Sequence, residues 1–220
     1  MCFFVLLFAF SEIDVQKLDA FIQSFQGAVG VLEAGRTIEP SDLLSEAELD
    51  DLTLQELQEL EDFRRLQERM DEFLEERDMQ ADVLVTLETR GLVLRFQDNV
   101  LFDSGRSEIK ADSLEILAFV GMVIREPEFN DKFIRIEGHT DTDPLRPGAR
   151  YETNWELSVA RAANVVRHMI EDLGVAPVRF SASGYGEYHP VAPNDTAENK
   201  SKNRRVDIVI LRSEFTATSR

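Results

Sequence analysis

Glu137, His139 and Asp141 fall within five positions of one another, a carboxylate–imidazole–carboxylate cluster of the kind that can support hydrolysis. The rest of the sequence does not supply what such chemistry needs. Glu137 and His139 alternate along one run and so share a face of their strand, no serine or cysteine sits on a recognisable nucleophile elbow, and no residue set is spaced to hold zinc. His139, His168 and His189 are far apart, and Cys2 is the only cysteine, which excludes an internal disulfide. Gly184-x-Gly186 lacks both the lysine and the third glycine of a phosphate-binding loop. The sequence therefore predicts a non-catalytic protein with no metal and no cofactor. What remains is charge pairing. Asp141 follows a strand and Arg161 lies in a helix opened by Thr153, so an acid and a guanidinium can meet at one edge of a sheet, and a guanidinium grips a carboxylate bidentately as a lysine cannot. Asn154 and Arg205 are secondary candidates: an asparagine at a helix start can merely cap, and one arginine of the Arg204-Arg205 pair can merely answer an acid at the edge of the core. His139 reads as a structural hydrogen-bonder, and Trp155 and Tyr185 as packing rather than sugar-stacking residues.

The elements that must position these residues lie in 83–213. Val83–Glu88 (VLVTLE) and Leu92–Phe96 (LVLRF) are β-type runs joined through Arg90-Gly91, a hairpin pattern. Leu114, Leu117, Val120 and Ile124 put one apolar face on a helix that ends near Pro127. Phe133–Glu137, Arg179–Ser183 and Arg205–Leu211 read as strands. Thr153-x-x-Glu156 is a capping box opening a second helix, and Gly174 closes it. This order predicts an α/β (α+β) domain, a mixed sheet with its helices mainly on one face.

The chain ahead of that domain is different in kind. Residues 39–82 hold seventeen acids against four bases, in a protein whose net charge is −18. A stretch this negative repels polyphosphate, and with no compensating basic patch elsewhere nucleic acid is not expected as a partner. Few helix breakers follow Ser41, and Leu57, Leu60, Phe63, Leu66, Met70 and Phe73 recur every three or four positions. A long, mostly solvated helix with a narrow apolar stripe is predicted, either a lone spacer or the seam of a dimeric coiled coil. Residues 11–38 carry an amphipathic pattern at Leu18, Phe21, Ile22, Phe25 and Val29, loosened by Gly27, Gly30 and Gly35. Met1–Phe10 (MCFFVLLFAF) is unbroken apolar sequence. Ten helical residues rise only about 15 Å against a hydrocarbon core of about 30 Å, so it reads as the outer half of a membrane helix whose first half would precede Met1.

Phe102-Asp103-Ser104-Gly105, Gly138-His139-Thr140-Asp141, Asn154-Trp155-Glu156-Leu157-Ser158-x-x-Arg161-Ala162, Gly184-Tyr185-Gly186-Glu187 and Asn203-Arg204-Arg205-Val206 occur in an order and spacing that resembles the OmpA-like peptidoglycan-binding domain. The Asn-Trp-Glu-Leu-Ser form is similar to that of the MotB family, the B subunit of the flagellar stator. Phe3–Ser11 followed by an amphipathic segment looks like the end of that family's membrane helix and its plug. The resemblance implies five parts: 1–10 the end of a single membrane pass, 11–38 a plug-like segment, 39–82 an acidic helical linker, 83–213 the wall-binding domain, and 214–220 a tail. It implies an inner-membrane protein with its C-terminal domain in the periplasm, working as a homodimer with a MotA-like membrane subunit. The aspartate that carries the transported ion in that family would precede Met1, so the coupling ion is not legible. The expected ligand is the peptidoglycan stem peptide, whose diaminopimelate ends in an ammonium and a carboxylate and so calls for an acid and a guanidinium. The resemblance gives that role to Asp141 and Arg161. The alternative is a general OmpA-like wall-tethering protein, or a stator-like unit of a non-flagellar system.

Overall fold

From Leu54 to Glu75 neither glycine nor proline interrupts a run rich in Leu, Gln, Glu and Arg, all good helix formers, and the chain there is one helix, α1 (Leu54–Glu75). The structure, a computed structural model, describes residues 54–213, which fall within one compact unit, Leu44–Arg220. The apolar run 1–10, the amphipathic segment 11–38, the start of the acidic linker and the tail 214–220 lie outside the described residues. After α1, Asp78 turns the chain with φ 55°, a left-handed conformation that short polar side chains tolerate. There follow β1 (Val83–Glu88), β2 (Gly91–Gln97), α2 (Asp98–Leu101), α3 (Leu114–Val123), β3 (Ile134–His139), α4 (Asn154–Glu171), β4 (Phe180–Gly186), α5 (Ala197–Asn203) and β5 (Arg205–Leu211).

The five strands form one sheet in the order β1-β2-β5-β3-β4. The predicted hairpin is present, with Val83 opposite Phe96 and Glu88 opposite Gly91. β5 runs antiparallel to both β2 and β3, and β3 runs parallel to β4. Alternation along the central strands sends Leu92, Leu94, Phe96, Ile134, Ile136, Val206, Ile208 and Ile210 into one core with Leu117 and Val120 of α3 and Val165 and Met169 of α4. That is the mixed sheet with helices on one face that the sequence predicts.

The helix α1 belongs to this core. Phe63, Leu66, Met70 and Leu74 are at most 1% exposed, and they join the same cluster as the sheet residues. Phe63 stacks on Phe129 at 6.1 Å and Phe73 on Phe119 at 3.9 Å. Outside the apolar contact, Arg69 grips Glu126 through two bonds of 2.6 and 2.7 Å, and Glu59 accepts from both Lys132 and Ser213. Burial raises the Glu59 carboxyl, but those hydrogen bonds outweigh it and hold the group below its ordinary value. The stripe that the sequence leaves as a solvated spacer or a coiled-coil seam is thus filled by the chain's own sheet. Stripe periodicity shows that a helix has an apolar face, not what covers it.

Two features deliver α4 to the site. Thr153 and Glu156 form the predicted capping box, each side chain bonding to the other residue's backbone N–H. Gly138 permits the helix to lie directly on β3: a Cβ there would collide with the carbonyl oxygen of Ser158.

Candidate functional site

Beyond the end of β3 a cleft of about 930 Å³ opens, lined by Asp98, Asp103, Asp141, Asn154, Arg161 and Arg204 among others. Asp141 is carried there by β3, whose continuation is pinned by the Thr140 N–H donating to the Gly186 carbonyl at 2.9 Å. Asn154, the first residue of α4, donates to the carbonyls of Asp141 (3.1 Å) and Asp143 (2.9 Å) and to Glu187 Oε2 (3.3 Å). It therefore ties three segments together rather than capping its helix, which Thr153 does. Arg161 reaches in from α4 and holds the loop after Phe102 through Nε to the Arg106 carbonyl at 2.8 Å. Asn164 bonds the Ser107 carbonyl in the same loop at 2.6 Å.

The charges pair crosswise. Arg161 Nη1 lies 2.7 Å from Asp98 Oδ1, and Arg204 Nη1 lies 2.5 Å from Asp141 Oδ2, while Asp141 Oδ1 accepts from the Asp143 N–H at 3.0 Å. Both Asp141 and Arg161 are buried, at 4% and 1% exposure. Burial pushes the Asp98 carboxyl up and the Arg161 guanidinium down from their ordinary values, and their mutual attraction only partly offsets this. One buried ion pair, Asp98–Arg161, and one whose acid is buried and whose guanidinium is half-exposed, Asp141–Arg204, thus sit in one open cleft, an arrangement in which an incoming zwitterion can exchange partners with both.

Three of the four residues singled out from sequence, Asp141, Arg161 and Asn154, come together here. Arg161 does not project from a sheet edge as expected. It is fully buried, because its stem lies under the Phe102 loop, with the guanidinium 5.1 Å from the Phe102 ring. Arg205 is not in the cleft. Its side chain leaves the opposite face of the sheet, where Nε meets Asp207 Oδ2 at 3.2 Å and Nη2 the His189 carbonyl at 3.2 Å. Its neighbour Arg204, just before β5, takes the place beside Asp141. Successive strand residues point to opposite faces, so the motif Arg-Arg contains one arginine for each face, and only the register decides which. Asp98 was missed, because an acid directly after an apolar strand reads as the strand's solvated end.

On that opposite face Glu137, His139 and Asp207 bring one ligand atom each within 4.8 Å of one another. Their oxygens are already engaged: Arg90 bonds Glu137 at 2.7 Å, and Arg95 and Arg205 bond Asp207. The group is a charge network of the sheet face, and it separates Glu137 and His139 from Asp141. His139 is not the hydrogen-bonder expected. It is 3% exposed and neither ring nitrogen bonds a protein group. The ring stacks on Tyr185 at 5.1 Å instead. Burial, with Arg205 adding repulsion, pushes its pKa down from 6.5 to about 3. Above pH 6.5 both folded and unfolded forms are neutral. Below it the unfolded chain takes up a proton that folded His139 refuses, so stability falls as pH falls, by about 2 kcal/mol between pH 6.5 and 5. Urea unfolding at pH 7 and pH 5 should show His139→Asn losing about that much less than the parent; equal losses would refute the assignment.

Known proteins share this architecture. Residues 101–204 match the OmpA family, and residues 1–29 match the family described as membrane MotB of the proton-channel complex MotA/MotB. Over 227 residues the chain is 31% identical to Motility protein B of Bacillus subtilis (strain 168), an alignment covering 96% of this chain and 85% of that protein. Among solved structures, a MotB-like protein from Desulfovibrio vulgaris superposes with a TM-score of 0.63 at 29% identity, over 70% of this chain and 97% of that one. The cell wall anchor of the T6SS from Pseudomonas aeruginosa superposes at 0.57, also with 29% identity, over 65% of this chain and 97% of that one.

Proposed function

Because the chain belongs to the Motility protein B family, we propose that it is a non-catalytic anchor that fixes an ion-driven stator complex of the inner membrane to the cell wall. Its C-terminal domain works in the periplasm and binds the peptidoglycan stem peptide. The observation that carries this reading is the presence of two ion pairs, each with a buried acid, in one open cleft. The side-chain ammonium of diaminopimelate replaces Arg204 as the partner of Asp141, and the adjacent carboxylate is received by Arg161 and the released Arg204. Each exchange substitutes one charged partner for another, so the desolvation already present in the free site is not added on binding. Asn154 acts by holding the Asp141 backbone in place. Arg205 supports the sheet face behind.

The experiment is co-sedimentation of residues 44–220 with isolated sacculi and competition by soluble stem peptides. A peptide with diaminopimelate should compete at least about tenfold better than one with lysine, which keeps the ammonium but lacks the carboxylate. Equal competition would remove the guanidinium half of the site.

A MotA-like subunit and a second copy of the chain are the proposed partners. The α1 stripe is occupied within the domain, so the dimer contact lies on another surface; a chain that sediments only as monomer at high micromolar concentration would contradict it. The likeness to the T6SS anchor supports a second reading, the same wall-binding cleft serving a different machine. Swimming of a strain whose stator B subunit keeps its own membrane helix but has its periplasmic part replaced by residues 11–220 separates the two.

A further inference from the structure

Two loops border the cleft, 103–108 ahead of α3 and 142–153 between β3 and α4, and the second is tied down at both ends. Lys200 Nζ donates to Asp143 Oδ1 at 2.6 Å, Tyr151 Oη and Ser107 Oγ share a hydrogen bond of 2.6 Å, and Arg150 pairs with Glu108. Between these ties Arg146-Pro147-Gly148-Ala149 forms a type II turn: the Ala149 N–H donates to the Arg146 carbonyl at 3.0 Å, and Gly148 has φ 79°. Arg146 is therefore carried on a backbone with little freedom left to lose on binding. Most of the other bases lining the cleft are engaged. Arg161 pairs with Asp98, Arg204 with Asp141 and Arg150 with Glu108, and Lys110 donates to the Asn99 carbonyl. Arg106 has Glu108 as an electrostatic counterweight. Arg146 is exposed, and among the described residues its guanidinium has no hydrogen-bond or ion-pair partner.

The geometry points to Arg146 as the receptor of a second carboxylate on the stem peptide, the free α-carboxylate of the glutamate that precedes diaminopimelate. This inference rests on the reading of the cleft as the peptide site. Charge and continuity select the occupant. The end of diaminopimelate brings one ammonium and one carboxylate, so it leaves the charge balance of the cleft as it was. Six bases and five acids line that cleft, and the surplus positive charge admits a further anion. The glutamate supplies one, because it is joined to diaminopimelate through its side-chain carboxyl and keeps its α-carboxylate free one residue away. The carboxylate at the far end of the stem shifts with trimming and cross-linking, whereas the glutamate stays next to diaminopimelate in every stem. A guanidinium receives such a group through two parallel hydrogen bonds. Recognition would then read two successive residues of the peptide, the zwitterionic end through Asp141 and Arg161 and the glutamate through the turn at Arg146.

The test is calorimetry on the full chain in detergent micelles with two diaminopimelate stem peptides that differ only at the glutamate, one with the free α-carboxylate and one with the α-carboxamide. The carboxylate form should bind about fivefold tighter at low salt. The gap should narrow as salt is raised, because Arg146 is exposed and screening reaches it. Arg146→Gln should bring the carboxylate form down to the affinity of the carboxamide form and leave the latter unchanged. The turn survives this change, since it uses only the carbonyl of residue 146. Arg146→Lys, which keeps the charge and loses the planar fork, should retain part of the preference. Equal affinities of the parent for the two peptides would overturn the inference and leave the cleft standing. A preference that persists in Arg146→Gln would also overturn it and give the carboxylate to another base of the cleft. Failure of both peptides to bind would overturn the reading of the cleft and the inference together.

Discussion

A chain that begins at residue 83 should not fold cooperatively, although a boundary there matches every motif in the wall-binding half. Its sheet would lack Phe63, Leu66, Met70 and Leu74, all at most 1% exposed in the intact domain. Each fully buried side chain of this size contributes about 1.5–3 kcal/mol, so four together contribute about as much as the whole stability of a typical domain, about 5–15 kcal/mol. Lys132 would also lose its partner Glu59. Urea unfolding of residues 44–220 and of 83–220, followed by near-ultraviolet circular dichroism, compares the two. Coincident midpoints would show that the contacts of α1 are dispensable. Within the intact domain Phe63→Ala alone should cost about 3–5 kcal/mol, as expected of a fully buried aromatic.

The second large effect is a split between Asp141 and Arg161. Asp141→Asn should abolish wall binding and leave the fold intact, because the amide retains an acceptor for the Asp143 N–H and the partner Arg204 is 38% exposed at its side chain and can hydrate. Losing one partner of a desolvated charge pair costs about 2–5 kcal/mol, at least about thirtyfold in affinity. Arg161→Ala should fail earlier, at folding. It strands Asp98 in a buried position, and breaking a buried pair in this way costs about 3–5 kcal/mol. Replacing both members, Asp98→Asn with Arg161→Met, removes the stranded charge and should restore much of that loss. Sacculus co-sedimentation beside thermal unfolding measures both properties. A refolded double variant that still binds would deny Arg161 any part in holding the ligand.

Much of the sheet was legible because its strands obey the local rule that one face is apolar: Ile134 and Ile136, or Val206, Ile208 and Ile210, alternate as a core-facing row must. The helix opened by Thr153 was legible because a capping box is a contact between residues three apart. What failed was long-range. The α1 stripe was plain, but nothing within 22 residues of helix says whether a sheet or a second helix will cover it. Asp141 and Arg161 were found through motif spacing, yet their true partners, Arg204 and Asp98, lie 63 positions away in each case. The exchange of Arg204 for Arg205 is a one-residue register question that alternation poses and only pairing answers. His139 was expected to bond because most buried imidazoles do; the ring stacks on Tyr185 because the neighbouring acids are already held by arginines.

The last strand among the described residues, β5, lies in the middle of the sheet, between β2 and β3. Until Arg205–Leu211 is available, the hairpin β1–β2 and the parallel pair β3–β4 have no strand between them to complete the sheet. Completion of the sheet therefore waits for Arg205–Leu211, and synthesis from the front end cannot finish it earlier. The topology thus acts as a built-in delay, in which the two halves of the sheet wait for one shared strand.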